Sequence, residues 1–259
     1  MRGFLILDFG SQYTQIIARR LRDLGFYSEI SSYDIPLEEI KKKNPYGVIL
    51  SGGPQSVYDE TSPKRDVLEL EANFPLLGIC YGFQLMVHQN GGRVEPSSYR
   101  EYGRKALHWK KHFRGLPQIQ KVWMSHGDVA LAVPDIFEVL AETEHHPAVI
   151  KSSSKKMLGV QFHPEVFHTE NGEEIFREFT EMCLAKPEWN SNSMLAEIEK
   201  FVHTQVKPDE KVLCALSGGV DSTVVATLLH KVLRPQQLQC VFVDTGLMRD
   251  READEVMVA

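Results

Sequence analysis

The first part of the chain alternates short, wholly apolar runs with amphipathic stretches. Phe4-Leu5-Ile6-Leu7-Asp8-Phe9-Gly10 reads as a buried parallel strand closed by glycine. A helix is predicted from about Gln12 to Leu24. Ile17, Leu21 and Leu24 share one face of it, while Arg19, Arg20 and Arg22 look outward or toward a partner. Gly25 fits just past its C-terminus. Val48-Ile49-Leu50 is a second strand, broken by Ser51-Gly52-Gly53-Pro54. Leu76-Leu77-Gly78-Ile79 is a third, running into Cys80, with a helix near Gly82–Gln89 behind it. Strands alternating with helices predict an open α/β sheet with a mainly parallel core, and such sheets bind ligands at the carboxyl ends of their strands.

Further on, Val122-Trp123-Met124, Val149-Ile150-Lys151 and Leu158-Gly159-Val160-Gln161-Phe162 are short and separated by polar turns, which makes the sheet mixed. Glu173–Ala185 carries Ile175, Phe176, Phe179 and Met182 as a helical stripe. The polar stretch 186–193 then has linker composition. The predicted organisation is a first domain over 1–187, a linker over 188–194 and a second α/β unit over 195–259. That second unit contains a helix near Met194–Val206, a strand at Val212–Leu216, a helix to about Leu233 and a strand at Cys240–Val243. Its sixty-odd residues are too few to cover both faces of a parallel sheet, so it is expected to be the start of a larger, Rossmann-like domain.

Composition narrows the class. Of 259 residues, 42% are hydrophobic and 25% charged, which excludes disorder and collagen-like structure. No apolar run approaches the ~18 residues that cross a bilayer, and the N-terminal apolar core is too short for a signal peptide. The net charge of −6 disfavours a broad nucleic-acid binder. The four cysteines, Cys80, Cys183, Cys214 and Cys240, form no CxxC pair, so a reducing cytoplasm is the expected setting.

Candidate chemistry gathers at two places. Gly78-Ile79-Cys80-Tyr81-Gly82 sits where a strand turns sharply into a helix, the geometry of a nucleophile elbow with sulfur in place of oxygen. A lone cysteine is usually a small buried hydrophobe. The strand-turn-helix setting argues otherwise here, because the helix N-terminus favours a thiolate. Cys183, Cys214 and Cys240 lie in helix or strand patterns and read as core. A thiol nucleophile needs a base and an orienter. In the extended segment Gln161-Phe162-His163-Pro164-Glu165, positions 163 and 165 project from one side, so Glu165 can hold the His163 imidazole. His112, His145, His146 and His168 carry no such pattern. Ser51-Gly52-Gly53-Pro54 follows a strand at the same sheet edge, where glycines let N–H groups approach an oxyanion. Ser125-His126-Gly127-Asp128 reads as a further polar turn suited to a small polar substrate.

Together, Ser51–Pro54, Gly78-Ile79-Cys80-Tyr81-Gly82-Phe83-Gln84 and Gly159–Glu165 resemble the class I, triad-type glutamine amidotransferases, over about residues 1–185. The resemblance implies that Cys80 attacks the side-chain amide of glutamine and that N–H groups of Gly53 and Tyr81 stabilise the oxyanion. His163 then protonates departing ammonia, and water cleaves the glutamyl thioester. Gly52, Gln84, Ser125, His126 and Gly127 would bind glutamine.

The second place is Ser217-Gly218-Gly219-Val220-Asp221-Ser222, between a strand and a helix. Its N–H groups and hydroxyls can wrap a phosphate. It is not a Walker A motif, since no G-x-x-x-x-G-K-[ST] is present. It resembles the PP-loop of the ATP pyrophosphatases, which implies ATP binding by Ser217 through Ser222 and a magnesium ion near Asp221. Val243 and the following residues to Arg249 resemble the adenosine-side segment. With Ile6–Tyr13, the two halves resemble the glutamine-hydrolysing GMP synthases. That likeness implies adenylation of xanthosine 5′-monophosphate by ATP with Mg2+, amination by ammonia, release of AMP and pyrophosphate, and a homodimer of the full-length protein. These 259 residues alone would then show glutaminase activity at most. A glutaminase component of another pathway, a PP-loop RNA-modifying protein and a non-catalytic module are the alternatives. The linker with its PP-loop argues against the first, net acidity against the second, and an intact Cys80, His163 and Glu165 against the third.

Overall fold

In the first strand, β1 (Phe4–Asp8), the residues Phe4 through Leu7 are all buried. The cause is its interior place in a sheet covered on both faces. Phe4 and Ile6 join one apolar cluster with Ile17, Leu21, Phe176 and Phe179. Leu5 and Leu7 join another with Val48, Leu50, Phe83 and Met86. A computed structural model describes residues 1–152 and 154–243.

The chain continues through α1 (Thr14–Asp23), β2 (Ser28–Ser32), α2 (Leu37–Lys43), β3 (Gly47–Leu50), α3 (Val67–Glu71), β4 (Leu76–Ile79) and α4 (Tyr81–Gln89). Two long strands, β5 (Arg93–Trp109) and β6 (Ile119–Ala132), are followed by β7 (Glu138–Glu142), β8 (Pro147–Ser152), β9 (Met157–Val160) and α5 (Glu173–Met182). The sheet order is β2-β1-β3-β4-β9-β8-β7-β5-β6. Pairing is parallel from β2 to β9 and antiparallel beyond it. The mixed, mainly parallel open sheet read from the sequence is therefore present. Helix α1 ends as expected: Gly25 adopts φ 87°, and the Gly25 and Phe26 N–H groups donate to Arg22 and Leu21 at 2.9 Å each.

The first compact unit runs from Met1 to Trp189. Trp189, placed in a linker by composition, packs its ring 5.2 Å from that of Tyr27 and donates its N–H to Gly25 at 2.8 Å. The second unit starts at Asn190. There the Asn190 side chain accepts from the N–H groups of Asn192 and Ser193 and opens α6 (Ser191–Gln205), a capping box within a stretch that reads as linker. Next come β10 (Val212–Leu216), α7 (Val220–Val232) and β11 (Leu238–Phe242), with β10 and β11 parallel. Cys214 is buried, but Cys240, expected in a core, is exposed on the edge strand β11. Cys183 packs half-buried against the first core, where burial pushes its thiol up to about 12. Among the described residues no helix is long and apolar enough to cross a membrane.

Candidate active site

Strands β3, β4 and β9 run parallel, so their carboxyl ends deliver three loops to one edge of the sheet. At the end of β4, Cys80 takes φ 51° and ψ −101°, a backbone conformation costly for a residue with a Cβ, and caps α4. The surroundings enforce it. The Cys80 N–H donates to Val160 at 2.8 Å, and the Gly82 N–H to Ser51 at 3.1 Å. A Cβ on Gly82 would lie 2.4 Å from the Leu50 carbonyl oxygen, so only glycine lets the helix start this close to β3. Cys80 is only 5% exposed.

Beyond β9 the extended chain places His163 and Glu165 on one side. His163 Nδ1 lies 2.7 Å from Glu165 Oε1, and both residues are buried. His163 also lies close enough to Cys80 for the sulfur to act on its ring. Burial works against the charged ring, but Glu165 and the Cys80 sulfur outweigh it and raise His163 well above its ordinary value. The backbone here is fixed from three sides. The His163 N–H donates to Trp123 at 3.0 Å, Thr169 Oγ1 donates to the His163 carbonyl at 2.6 Å, and Arg20 Nε donates to the Glu165 carbonyl at 2.9 Å. Tyr13 packs edge-on against the imidazole at 5.0 Å. Arg20, read from α1 as looking outward or toward a partner, thus braces the His163–Glu165 segment, a contact that no local pattern announces.

The Ser51–Pro54 loop closes the third side. A Cβ on Gly52 would stand 3.1 Å from His163 Cε1 and 3.6 Å from Cys80 Cβ. A Cβ on Gly53 would stand 2.8 Å from the Phe9 carbonyl and 3.3 Å from the Tyr81 ring. Both glycines therefore border the elbow. Ser51 Oγ holds the loop by accepting from the Phe9 N–H at 3.0 Å and donating to Gly52 at 2.9 Å. Tyr81 opens α4, so its N–H has no intrahelical partner.

Ser125–Asp128 is not a turn but lies inside β6, paired with a bulged β5. Gln120, Val122, Met124 and His126 alternate inward, and His126 keeps that period with a polar side chain. Its Nε2 stands 3.4 Å from Glu101 Oε2, and its Nδ1 donates to the Asp128 carbonyl at 3.0 Å. Burial pushes the Glu101 carboxyl up, yet His126, Thr143 and His146 together hold it below its ordinary value. Ser125 brings its carbonyl oxygen 3.9 Å from Cys80 Sγ. Gly127 lies beside Tyr102 and Arg100. Gln84 is buried and donates to the Asp128 carbonyl at 2.8 Å. Glu101, Arg20 and Gln161 are site neighbours that sequence reading does not single out. A hollow of about 510 Å3 lined by residues including Asp8, Gly10, Ser31 and Tyr33 opens near the ends of β1 and β2, and no member of the Cys-His-Glu set lines it.

In the second unit, Ser217–Gly219 link β10 to α7, whose first turn holds Val220–Ser222, and Gly218 takes φ 80°. Ser222 Oγ accepts from the Ser217 N–H at 3.2 Å and donates to the Gly219 carbonyl at 3.0 Å, which curls the loop over the helix N-terminus. Asp221 lies in the first turn of α7, and Val243 is exposed. The segment Asp244–Arg249 lies outside the described residues. Among the described residues no group of three or more His, Cys, Asp or Glu side chains could hold a metal ion.

Known proteins match this chain in sequence and in fold. Residues 5–183 match the family described as Glutamine amidotransferase class-I, and residues 194–259 match Asparagine synthase. A protein named GMP synthase [glutamine-hydrolyzing] from Bdellovibrio bacteriovorus is 52% identical over 259 residues, 99% of this chain and 51% of that protein. Its namesake from Bacillus subtilis is 50% identical over 258 residues, 98% of this chain and 50% of that protein. The chain thus spans about half the length of the curated relatives it matches. The crystal structure of a candidate GMP synthase component from Thermoplasma acidophilum superposes with a TM-score of 0.62 at 29% identity, covering 77% of this chain and 98% of that one. With an elbow cysteine, a buried His-Glu pair and a diglycine loop meeting at one sheet edge, and with the family match running through all three, the chain belongs to the class I glutamine amidotransferases.

Proposed function

We propose that the first unit hydrolyses glutamine to glutamate and ammonia, and that the ammonia serves the amination of xanthosine 5′-monophosphate to GMP. The convergence of Cys80, His163 and Glu165 in one buried cluster supports the first step. His163 takes the Cys80 thiol proton as sulfur attacks the carboxamide carbon. The resulting oxyanion faces the N–H groups of Gly53 and Tyr81, and collapse expels ammonia with a proton from His163. Water, activated by the same imidazole, then attacks the thioester, and glutamate leaves as the thiol is restored. Gly52, Gln84, Ser125, His126 and Gly127 form the glutamine subsite in this reading.

The relatives named GMP synthase and the loop of the second unit support the synthetase half. There ATP, carried with Mg2+ near Asp221, would lie with its phosphates on Ser217–Ser222 and its adenosine toward Val243. It would adenylate the nucleotide substrate and release pyrophosphate, and ammonia would then displace AMP. In this reading the whole protein is a homodimer working in the cytoplasm. The test is glutamate release by the purified chain and by Cys80→Ala, together with pyrophosphate release by the full-length protein with and without xanthosine 5′-monophosphate. Loss of glutamate release in Cys80→Ala and nucleotide-dependent pyrophosphate are expected. Glutamate release that survives Cys80→Ala overturns the first half. Pyrophosphate release indifferent to xanthosine 5′-monophosphate overturns the second.

A further inference from the structure

Strands β4 and β9 pair with Ile79 opposite Val160, so the next residues along each strand direction, Cys80 and Gln161, leave the sheet side by side. Gln161 is 1% exposed, and its backbone is pinned by an N–H donated to Ala148 at 2.9 Å. Its Nε2 lies 3.8 Å from Cys80 Sγ, and its Oε1 lies 3.2 Å from Gln84 Nε2.

The direction of this chain of amides is determined by its far end. The Asp128 carbonyl can only accept, so the group of Gln84 facing it at 2.8 Å is the NH2. The second hydrogen of that NH2 points to Gln161, whose facing atom must then be the oxygen. Gln161 is left with its own NH2 toward sulfur. On another side, the Ser125 carbonyl stands 3.9 Å from the same sulfur and can only accept. The sulfur therefore has one neighbour matched to the thiol and one matched to the thiolate, with His163 able to carry the proton between the two states.

We infer that Gln161 is a further catalytic residue of this site: it donates a hydrogen bond to the Cys80 thiolate, in an orientation fixed by Gln84. A bond to a charged acceptor is stronger than one to a neutral one, so Gln161 favours the attacking form of the nucleophile over its resting form. It also loses strength as sulfur becomes a neutral thioester, and the Gln84–Gln161 pair links the state of the sulfur to the glutamine subsite. This role rests on the glutaminase reading above.

The test is the pH profile of Cys80 alkylation by iodoacetamide in the parent, Gln161→Leu and Gln161→Glu, with Cys80→Ala defining background and glutaminase kinetics measured in parallel. Removal of the donor in Gln161→Leu is expected to move the alkylation midpoint up by about one pH unit and to lower kcat about 10–100-fold. KM should change less than kcat, because the amide acts on the sulfur and reaches the glutamine subsite only through Gln84. Gln161→Glu, which keeps the shape but sets a carboxylate against sulfur, should move the midpoint further. If Gln161→Leu does not fold, Gln161→Met carries the same expectation. A midpoint in Gln161→Leu or Gln161→Met that coincides with the parent's, while Cys80→Ala is inactive, overturns this role and leaves the glutaminase reading intact. Glutamate release that survives in Cys80→Ala overturns both.

Discussion

Glu165 Oε1 lies 2.7 Å from His163 Nδ1, and the two side chains project from one side of a segment only three residues long. In the proposed mechanism Glu165 thereby keeps a proton on Nδ1 and leaves Nε2 for the Cys80 sulfur. Glu165→Gln retains the shape but lets an amide face the ring and select the wrong tautomer. Its kcat for glutamate release should fall about 10²–10⁴-fold with KM nearly unchanged. An unaltered kcat would mean that the pair does not orient the base.

The same pair sets a pH dependence of stability. Burial disfavours the His163 cation, but Glu165 and the Cys80 sulfur raise its pKa in the folded protein. A raised folded value means that the pairing stabilises fully below the unfolded histidine value of about 6.5 and is lost as pH rises through the folded value. The stability difference between the parent and Glu165→Gln should therefore be greater near pH 6 than at alkaline pH. Urea titrations across that range measure it, and a difference that grows as pH rises would contradict it.

Cys80 holds φ 51° and ψ −101°, so the strain falls on the residue proposed as the nucleophile. Glycine relieves such strain, worth about 1–3 kcal/mol, whereas alanine keeps it. Ordinarily glycine costs about 0.5–1 kcal/mol relative to alanine. Here the order should invert, with Cys80→Gly more stable than Cys80→Ala by about 1 kcal/mol in urea unfolding. Alanine as the more stable variant would argue against a strained elbow.

Gly82 has its missing Cβ aimed at the Leu50 carbonyl at 2.4 Å, a rigid backbone atom in the middle of the sheet. Gly82→Ala must push α4 from β3, at a cost of about 3 kcal/mol. For a unit of this size that lowers Tm by about 6–12 °C. Calorimetry with no shift would show that the helix can slide at no cost.

The strands that sequence reading finds best are β1, β3, β4 and β9, because a strand covered on both faces has no polar position to confuse the pattern. The 17-residue β5 carries charged residues on its open face and a bulge before Glu101, and no continuous period survives in it. Ser125–Asp128 reads as a turn because its inward position is His126, and the partner that makes this tolerable, Glu101, lies on another strand. The capping box at Asn190 likewise hides in a stretch whose composition reads as linker. In the site, Cys80 is legible from its flanking glycines, and His163 with Glu165 from the two-residue period of extended chain. Arg20 and Gln161 are not, since their partners are 145 and 81 residues away and only the folded chain brings them together.

The central claim is that the Cys80 sulfur, with the His163 imidazole beside it, is the group that takes up glutamine. Trapping with a diazoketone analogue of glutamine, followed by peptide mass mapping, tests it most directly. One equivalent of label on Cys80, suppressed by excess glutamine and strongly slowed in His163→Ala, is the expected result. Label on any other residue, or labelling of Cys80 indifferent both to glutamine and to His163, would contradict it.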